Sequence, residues 1–212
     1  MKIALINENS QASKNTLIFD TLKKVAEKYN VEVENYGMFS NEDSHSLTYV
    51  KAGLLSAILL NSGAADFIVT GCGTGEGAML ALNSFPNVLC GHIVDASDAF
   101  MFREINDGNA ISIPFAKDFG WGAELKLEQI FDKLLSTSGG NGYPKERVVP
   151  EKANKKILDE VKKITHNDML WILKNIDQTF LKETIDYPYF RENFFKNSKN
   201  QEISAYLSSI LS

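Results

Sequence analysis

The chain has 212 residues, 44% of them apolar and 23% charged, which excludes the disordered and fibrous classes and fits one ordinary domain with an appendage. Its longest apolar stretch, Ala52–Leu60, is about half of the roughly 20 residues that a membrane-spanning helix needs, and the start MKIALINENS turns polar too early for a secretory signal, so a cytoplasmic protein is expected. The net charge of −5 is uneven, with 10 basic against 17 acidic side chains in residues 1–136 and 12 against 10 in residues 137–212; an acidic body argues against a nucleic-acid-binding face.

Residues 2–6 (KIALI) read as a buried strand, and after the polar NENSQAS the apolar positions Ile18, Leu22, Val25 and Tyr29 recur at helical spacing. The same alternation continues with strands at 31–36, 66–70, 88–93 and 110–113 and helices at 47–60, 75–83, 97–105 and 121–135. Five strands alternating with five helices predict an α/β fold, a doubly wound parallel sheet covered on both faces, with ligands at the carboxyl ends of the strands. SGGNGYPKERVVP, residues 138–150, breaks the pattern with three glycines and two prolines and reads as a connector. Beyond it, 151–164 and 167–176 carry helical patterns, followed by an aromatic cluster from Tyr187 to Phe195. The predicted organisation is a domain at 1–136, a connector at 137–150 and a helical extension at 151–212, packed on the domain or on a second subunit.

The informative segment is the turn Gly71-Cys72-Gly73-Thr74-Gly75-Glu76-Gly77 between a buried strand and a helix. Backbone amides exposed around a helix start can accept negative charge. The spacing does not satisfy G-x-G-x-x-G, and no G-K-[ST] is present, so nucleotide binding is disfavoured. A cysteine placed beside such amides is suited to accept a proton, because that setting favours the thiolate; the bland alternative is a small buried apolar residue. Cys90, inside a predicted strand, has only the bland reading. The two cysteines make no disulfide framework, and His45, His92 and His166 fall on different elements without metal-ligand spacing, so neither a metal nor a cofactor is expected.

Together, the KIALI strand with its polar turn, the CGTG-x-G turn leading to a helix that ends at Asn83, and Arg103-Glu104-Ile105-Asn106-Asp107-Gly108-Asn109 before a strand resemble the type B ribose-5-phosphate isomerase and galactose-6-phosphate isomerase family. The match covers about residues 1–136. The resemblance implies a Rossmann-like three-layer fold and a metal-free aldose–ketose isomerase. It implies a homodimer, or a tetramer built from dimers, with active sites at the subunit interface. By position, Cys72 matches the family's base, Gly73, Thr74, Gly75 and Gly77 its anion-stabilising loop, and Asn106 an amide lining the site.

The departures narrow the substrate. Where the family carries Asp-His after the first strand, Glu8-Asn9 stand here; Ile105 replaces a histidine associated with ring opening; and the phosphate-clamping arginines have no secure counterpart. The wording at Gly71–Pro86 and Phe119–Leu125, with the long tail, is similar to isomerases of unsaturated-uronate breakdown products. An open-chain carboxylated sugar such as a 4-deoxy-5-hexosulose uronate is therefore expected, with ribose 5-phosphate or galactose 6-phosphate as alternatives and a non-catalytic sugar-anion-binding protein as a further one. Glu8 is read as a substrate contact or proton shuttle, and Asn9, His45 in the loop SNEDSHS and Arg147 in the connector as substrate-binding candidates.

Overall fold

The structure, a computed structural model, describes residues 1–212. Five parallel strands, β1 (Lys2–Asn7), β2 (Glu32–Asn35), β3 (Phe67–Cys72), β4 (Cys90–His92) and β5 (Ala110–Pro114), form one sheet in the order β2-β1-β3-β5-β4. The three interior strands, β1, β3 and β5, are almost continuously buried, as strands covered on both faces must be. One face carries α1 (Asn15–Lys28), α4 (Ala96–Met101) and α5 (Ala123–Leu135), around Ile18, Leu22, Ile130 and Phe131. The other carries α2 (Tyr49–Ser62) and α3 (Glu76–Asn83). The expected three-layer α/β/α architecture is the one observed.

Element ends depart from expectation where local geometry intervenes. Residues 9–14 form a 3₁₀ turn before α1, capped by the Glu8 carboxylate. The helix read at 97–105 is α only to Met101 and then widens into a π turn over Phe102–Asn106, closed by Asp107 at φ 47°. The helix expected from 151 starts earlier: α6 spans Val148–Thr165, and Pro150 sits in its first turn, where the missing N–H costs no helical bond.

The extension continues as α7 (Met169–Asn175), α8 (Gln178–Ile185), α9 (Pro188–Asn197) and α10 (Gln201–Leu211). Leu173, Leu181, Phe190, Phe194 and Leu207 are fully buried and belong to the same core cluster as α2. This explains why α2 is buried along nearly its whole length and shows no amphipathic pattern: the sheet covers one side and the tail the other. Phe190 and Phe194 stack at 4.7 Å, and the Tyr187 hydroxyl donates to the Tyr36 carbonyl.

Candidate functional site

The chain turns to opposite sides of the sheet after β1 and β3, and such a switch point opens a crevice at the carboxyl ends of the strands. Asn7 pairs with Gly71, so the residues that follow, Glu8 and Cys72, leave the two strands side by side. Close packing of β3 on β5 depends on Gly71, since a Cβ there would lie 2.2 Å from the Ile113 carbonyl oxygen. Gly75, at φ 78°, makes the left-handed turn into α3.

Four successive carbonyls of this turn are tied down from behind. Phe115 N donates to Cys72 O and Ala116 N to Gly73 O, both at 3.0 Å. His92 Nε2 lies 2.9 Å from Thr74 O and therefore carries its proton, and the Ser112 hydroxyl donates to Gly75 O at 2.5 Å. With the carbonyls fixed on one side, the peptide amides opposite them, those of Gly73, Thr74 and Gly75, point to the other and donate to no acceptor within the chain; the Gly77 amide, in the first turn of α3, is likewise without one. Cys72 sits at the base of this fan, 8% exposed, with Sγ 4.0 Å from Thr74 Oγ1. The Thr74 hydroxyl also accepts from Glu76 N at 3.3 Å and so caps the start of α3. Tyr49, half-exposed, stands against Gly77 at the mouth.

The polar turn after β1 supplies the opposite wall. Both oxygens of the buried Glu8 carboxylate are held by Ser10, through its amide at 3.0 Å and its hydroxyl at 2.6 Å. Glu8 thus caps the 3₁₀ turn and orients Ser10. The turn places the Gln11 amide beside Gly73. It also places Lys14 Nζ 2.7 Å from Gln11 Oε1, 2.5 Å from Phe115 O and 4.6 Å from the Phe119 ring centre. Burial pulls the Lys14 pKa below its usual value. Lys14 and His92 are the site groups that sequence reasoning placed elsewhere or left undecided; each is brought in by strand order, which no local pattern announces.

The remaining candidates fall in three places. Asn9 joins the turn to the 44–47 loop, through its amide to Leu47 O at 2.7 Å and its side chain to Ser46 at 3.2 Å. His45, in that loop, turns its ring onto Tyr187 of the tail, with centroids 4.0 Å apart, and its buried Nε2 has no partner. Burial, reinforced by Lys51, lowers its pKa. Arg147 pairs with Glu151 at 3.5 Å at the start of α6, and its side chain is 64% exposed.

Asn106 does not meet Cys72 within one chain. It lines a cleft of about 370 Å³ with Cys90, Phe102, Leu158, Val161, Lys162 and His166. Cys90 is level with Ala110, and Ala110 with Ile68, so the cleft lies four residues, about 13 Å, below Cys72 along the strands. No three His, Cys, Asp or Glu side chains are grouped to hold a metal ion.

Residues 3–149 match the family described as Ribose/Galactose Isomerase, and residues 164–210 match a second described as Ribose-5-phosphate isomerase. A solved 4-deoxy-L-threo-5-hexosulose-uronate ketol-isomerase, in complex with tartrate, is 60% identical, with a TM-score of 0.98 over 100% of this chain and 99% of that one. A ribose-5-phosphate isomerase from Vibrio parahaemolyticus is 46% identical, with a TM-score of 0.96 over 100% and 99% of the two chains. The type B ribose 5-phosphate isomerase of Trypanosoma brucei, 21% identical over 76% of this chain and 97% of that one, shares the fold at a TM-score of 0.63.

Proposed function

Because the chain belongs to the ribose/galactose isomerase family, we propose that this aldose–ketose isomerase acts on an open-chain carboxylated sugar of the 4-deoxy-5-hexosulose uronate type, with Cys72 as its base. The observation that carries the reading is the geometry of the turn: a thiol beside the unpartnered amides of Gly73, Thr74 and Gly75, whose peptide carbonyls are anchored behind them. Cys72 Sγ takes the proton from the carbon beside the aldehyde and the electron pair moves onto the carbonyl oxygen as an enediolate forms; the hydroxyl proton passes from the second carbon's oxygen to the first carbon's, and the same sulfur returns its proton to the first carbon, leaving the ketone on the second. The amides of Gly73, Thr74, Gly75 and Gly77 stabilise the oxygen that gains charge, and their anchoring means that little has to reorganise as it does so. Glu8 acts through Ser10, whose hydroxyl it orients, and Asn9 ties that wall to the His45 loop.

A uronate needs one cation where a phosphate dianion needs a clamp. Lys14 is the cation held against the wall of the crevice, and two of its three N–H groups are engaged within the chain, leaving one for the substrate carboxylate. Ile105 suits a substrate whose ring need not be opened. The 60% identical ketol-isomerase supports the same choice. The second reading, ribose 5-phosphate, is favoured by the Vibrio relative and by the family match of the tail; on that reading Arg147 would supply the phosphate contact. We further propose a homodimer with shared sites, in which Asn106 serves the Cys72 loop of the other copy.

The test is turnover of both substrates by the purified protein. The uronate should be isomerised at least about 100-fold more efficiently, the scale of discrimination that a lost charged contact supports. A preference for ribose 5-phosphate would replace the first reading with the second. Solvent deuterium incorporation that survives Cys72→Ala would remove the assigned base.

A further inference from the structure

The wall opposite Cys72 carries a string of side-chain hydrogen bonds with a cation at one end and a carboxylate at the other. Lys14 Nζ donates to Gln11 Oε1 at 2.7 Å, Gln11 Nε2 to Ser10 Oγ at 3.2 Å, and Ser10 Oγ to Glu8 Oε1 at 2.6 Å. An ammonium only donates, so the Gln11 oxygen faces Lys14 and its amino group faces Ser10. Gln11 Nε2 also lies 3.7 Å from the point that a Cβ on Gly73 would occupy, which ties the string to the Cys72 turn. Glu8 is 2% exposed and its oxygens bond to Ser10 alone, while Ser10 itself stands exposed. Capping the 3₁₀ turn uses one carboxylate oxygen, which accepts from Ser10 N at 3.0 Å, a bond that Ser, Thr, Asp or Asn ordinarily supplies. The second oxygen is spent on the Ser10 hydroxyl. A hydroxyl offers one proton and two lone pairs. On Ser10 the proton goes to Glu8 and one lone pair to Gln11, so its free place is an acceptor backed by a buried carboxylate. Across the crevice, the free groups of the Cys72 turn are amide donors.

We infer that Ser10 is the second proton carrier of the reaction, moving a proton between the two substrate oxygens with Glu8 behind it as base. This deepens the isomerase reading above and rests on it. An α-hydroxy aldehyde has an acceptor in its carbonyl oxygen and a donor in the neighbouring hydroxyl; the amides suit the first and Ser10 Oγ the second. Cys72 Sγ moves only the carbon-bound proton, and the hydroxyl proton has still to cross from one oxygen to the other. As the first carbon takes its proton back from Sγ, the hydroxyl on the second carbon passes its proton to Ser10 Oγ, Ser10 passes its own to Glu8 Oε1, and the O–H electron pair closes the ketone. The oxygen on the first carbon, left as an alkoxide, then takes a proton from Ser10 Oγ, which recovers one from Glu8. Sulfur ends as a thiolate and Glu8 as a carboxylate, as both began, so no outside acid or base is consumed.

Running the reaction in deuterium oxide separates the two proton transfers. In Ser10→Ala, Cys72 still opens the carbon–hydrogen bond, so deuterium should enter the unconverted aldose within about three-fold of the parent rate, while conversion to the ketose falls by about 10²-fold or more. Ser10→Thr keeps a hydroxyl and should recover most of the conversion. Glu8→Gln still accepts from Ser10 but cannot take its proton, and should show the same split as Ser10→Ala. A residue that merely shapes the wall would lose exchange and conversion together. That outcome in Ser10→Ala, conversion by Ser10→Ala or Glu8→Gln within about three-fold of the parent, or no recovery in a folded Ser10→Thr would overturn the relay. The assay is run on whichever sugar the parent chain converts, so a preference for ribose 5-phosphate overturns the uronate reading and not the relay, and a parent that converts neither overturns both.

Discussion

The two ends of the sheet each hold one cysteine in very different surroundings. At the amino end, Cys90 opens β4, and Asn83 clamps its backbone on both sides, accepting from its amide at 3.0 Å and donating to its carbonyl at 2.9 Å. Lys162 closes the neighbouring carbonyls, and burial pushes the Cys90 thiol far above its ordinary pKa. At the carboxyl end, the carbonyls around Cys72 are held just as firmly, but the amides are left without partners. Chemistry is possible where the backbone keeps one kind of polar group unsatisfied and rigid, and a fully paired backbone around a neutral thiol is scaffold.

The sharpest way to break this contrast is to remove each thiol in turn. Cys72→Ala should keep the fold and lower kcat by about 10³-fold, within the range for a lost general base, whereas Cys90→Ala should leave kcat within about two-fold and cost on the order of 1–2 kcal/mol of stability as a small core truncation. Equal losses of turnover in steady-state assays would erase the distinction. Next in size is the packing of the tail on the domain. Phe190 is fully buried, packed on Tyr187 and Phe194 in the core cluster that also contains α2, so Phe190→Ala should cost about 3–5 kcal/mol in urea denaturation, while the folded fraction retains its KM.

The contrast is partly legible in the sequence. Strands such as Lys2–Asn7 and Phe67–Cys72 are short apolar runs between turn residues, and the glycine spacing around Cys72 announces a strand-to-helix turn with exposed amides. Lys14 and His92 were not legible as site groups, because Lys14 reads as the start of a helix and His92 reaches Thr74 through the neighbourhood of β3, β4 and β5, which depends on strand order. The last three helices were hidden for another reason: Leu181 and Ile185, and Ile203, Leu207 and Leu211, do recur at helical spacing, but among dense Asn, Lys and aromatic residues the pattern is short.

A smaller effect tests whether the carboxyl end selects its substrate by charge. Lys14→Met keeps much of the side-chain length and removes the ammonium that lies over Phe119, beside Gln11 and the Phe115 carbonyl. The loss should be about 10–100-fold in kcat/KM for a carboxylated sugar, the size of one charged hydrogen bond. For an uncharged open-chain aldose the variant and the parent should be nearly equal. A loss of the same size for both would make Lys14 a prop for the Phe115 carbonyl rather than a contact for the carboxylate.

The smallest effect concerns His45, where the tail meets the loop beside Asn9. Its ring is stacked on Tyr187, its Nε2 is buried without a partner, and burial lowers its pKa in the folded chain, so folding favours the neutral imidazole. The unfolded chain, with an ordinary histidine pKa of about 6.5, binds more protons in the window below that value. The contribution from this residue is therefore intact above about pH 6.5 and shrinks as the pH falls through the range beneath it. Thermal unfolding of the parent chain should lose more Tm between neutral and mildly acidic pH than that of His45→Phe, which preserves the stacking and cannot titrate. Parallel Tm curves for the two proteins would mean that the ring titrates alike folded and unfolded, and that the junction between tail and loop is held by apolar contact alone.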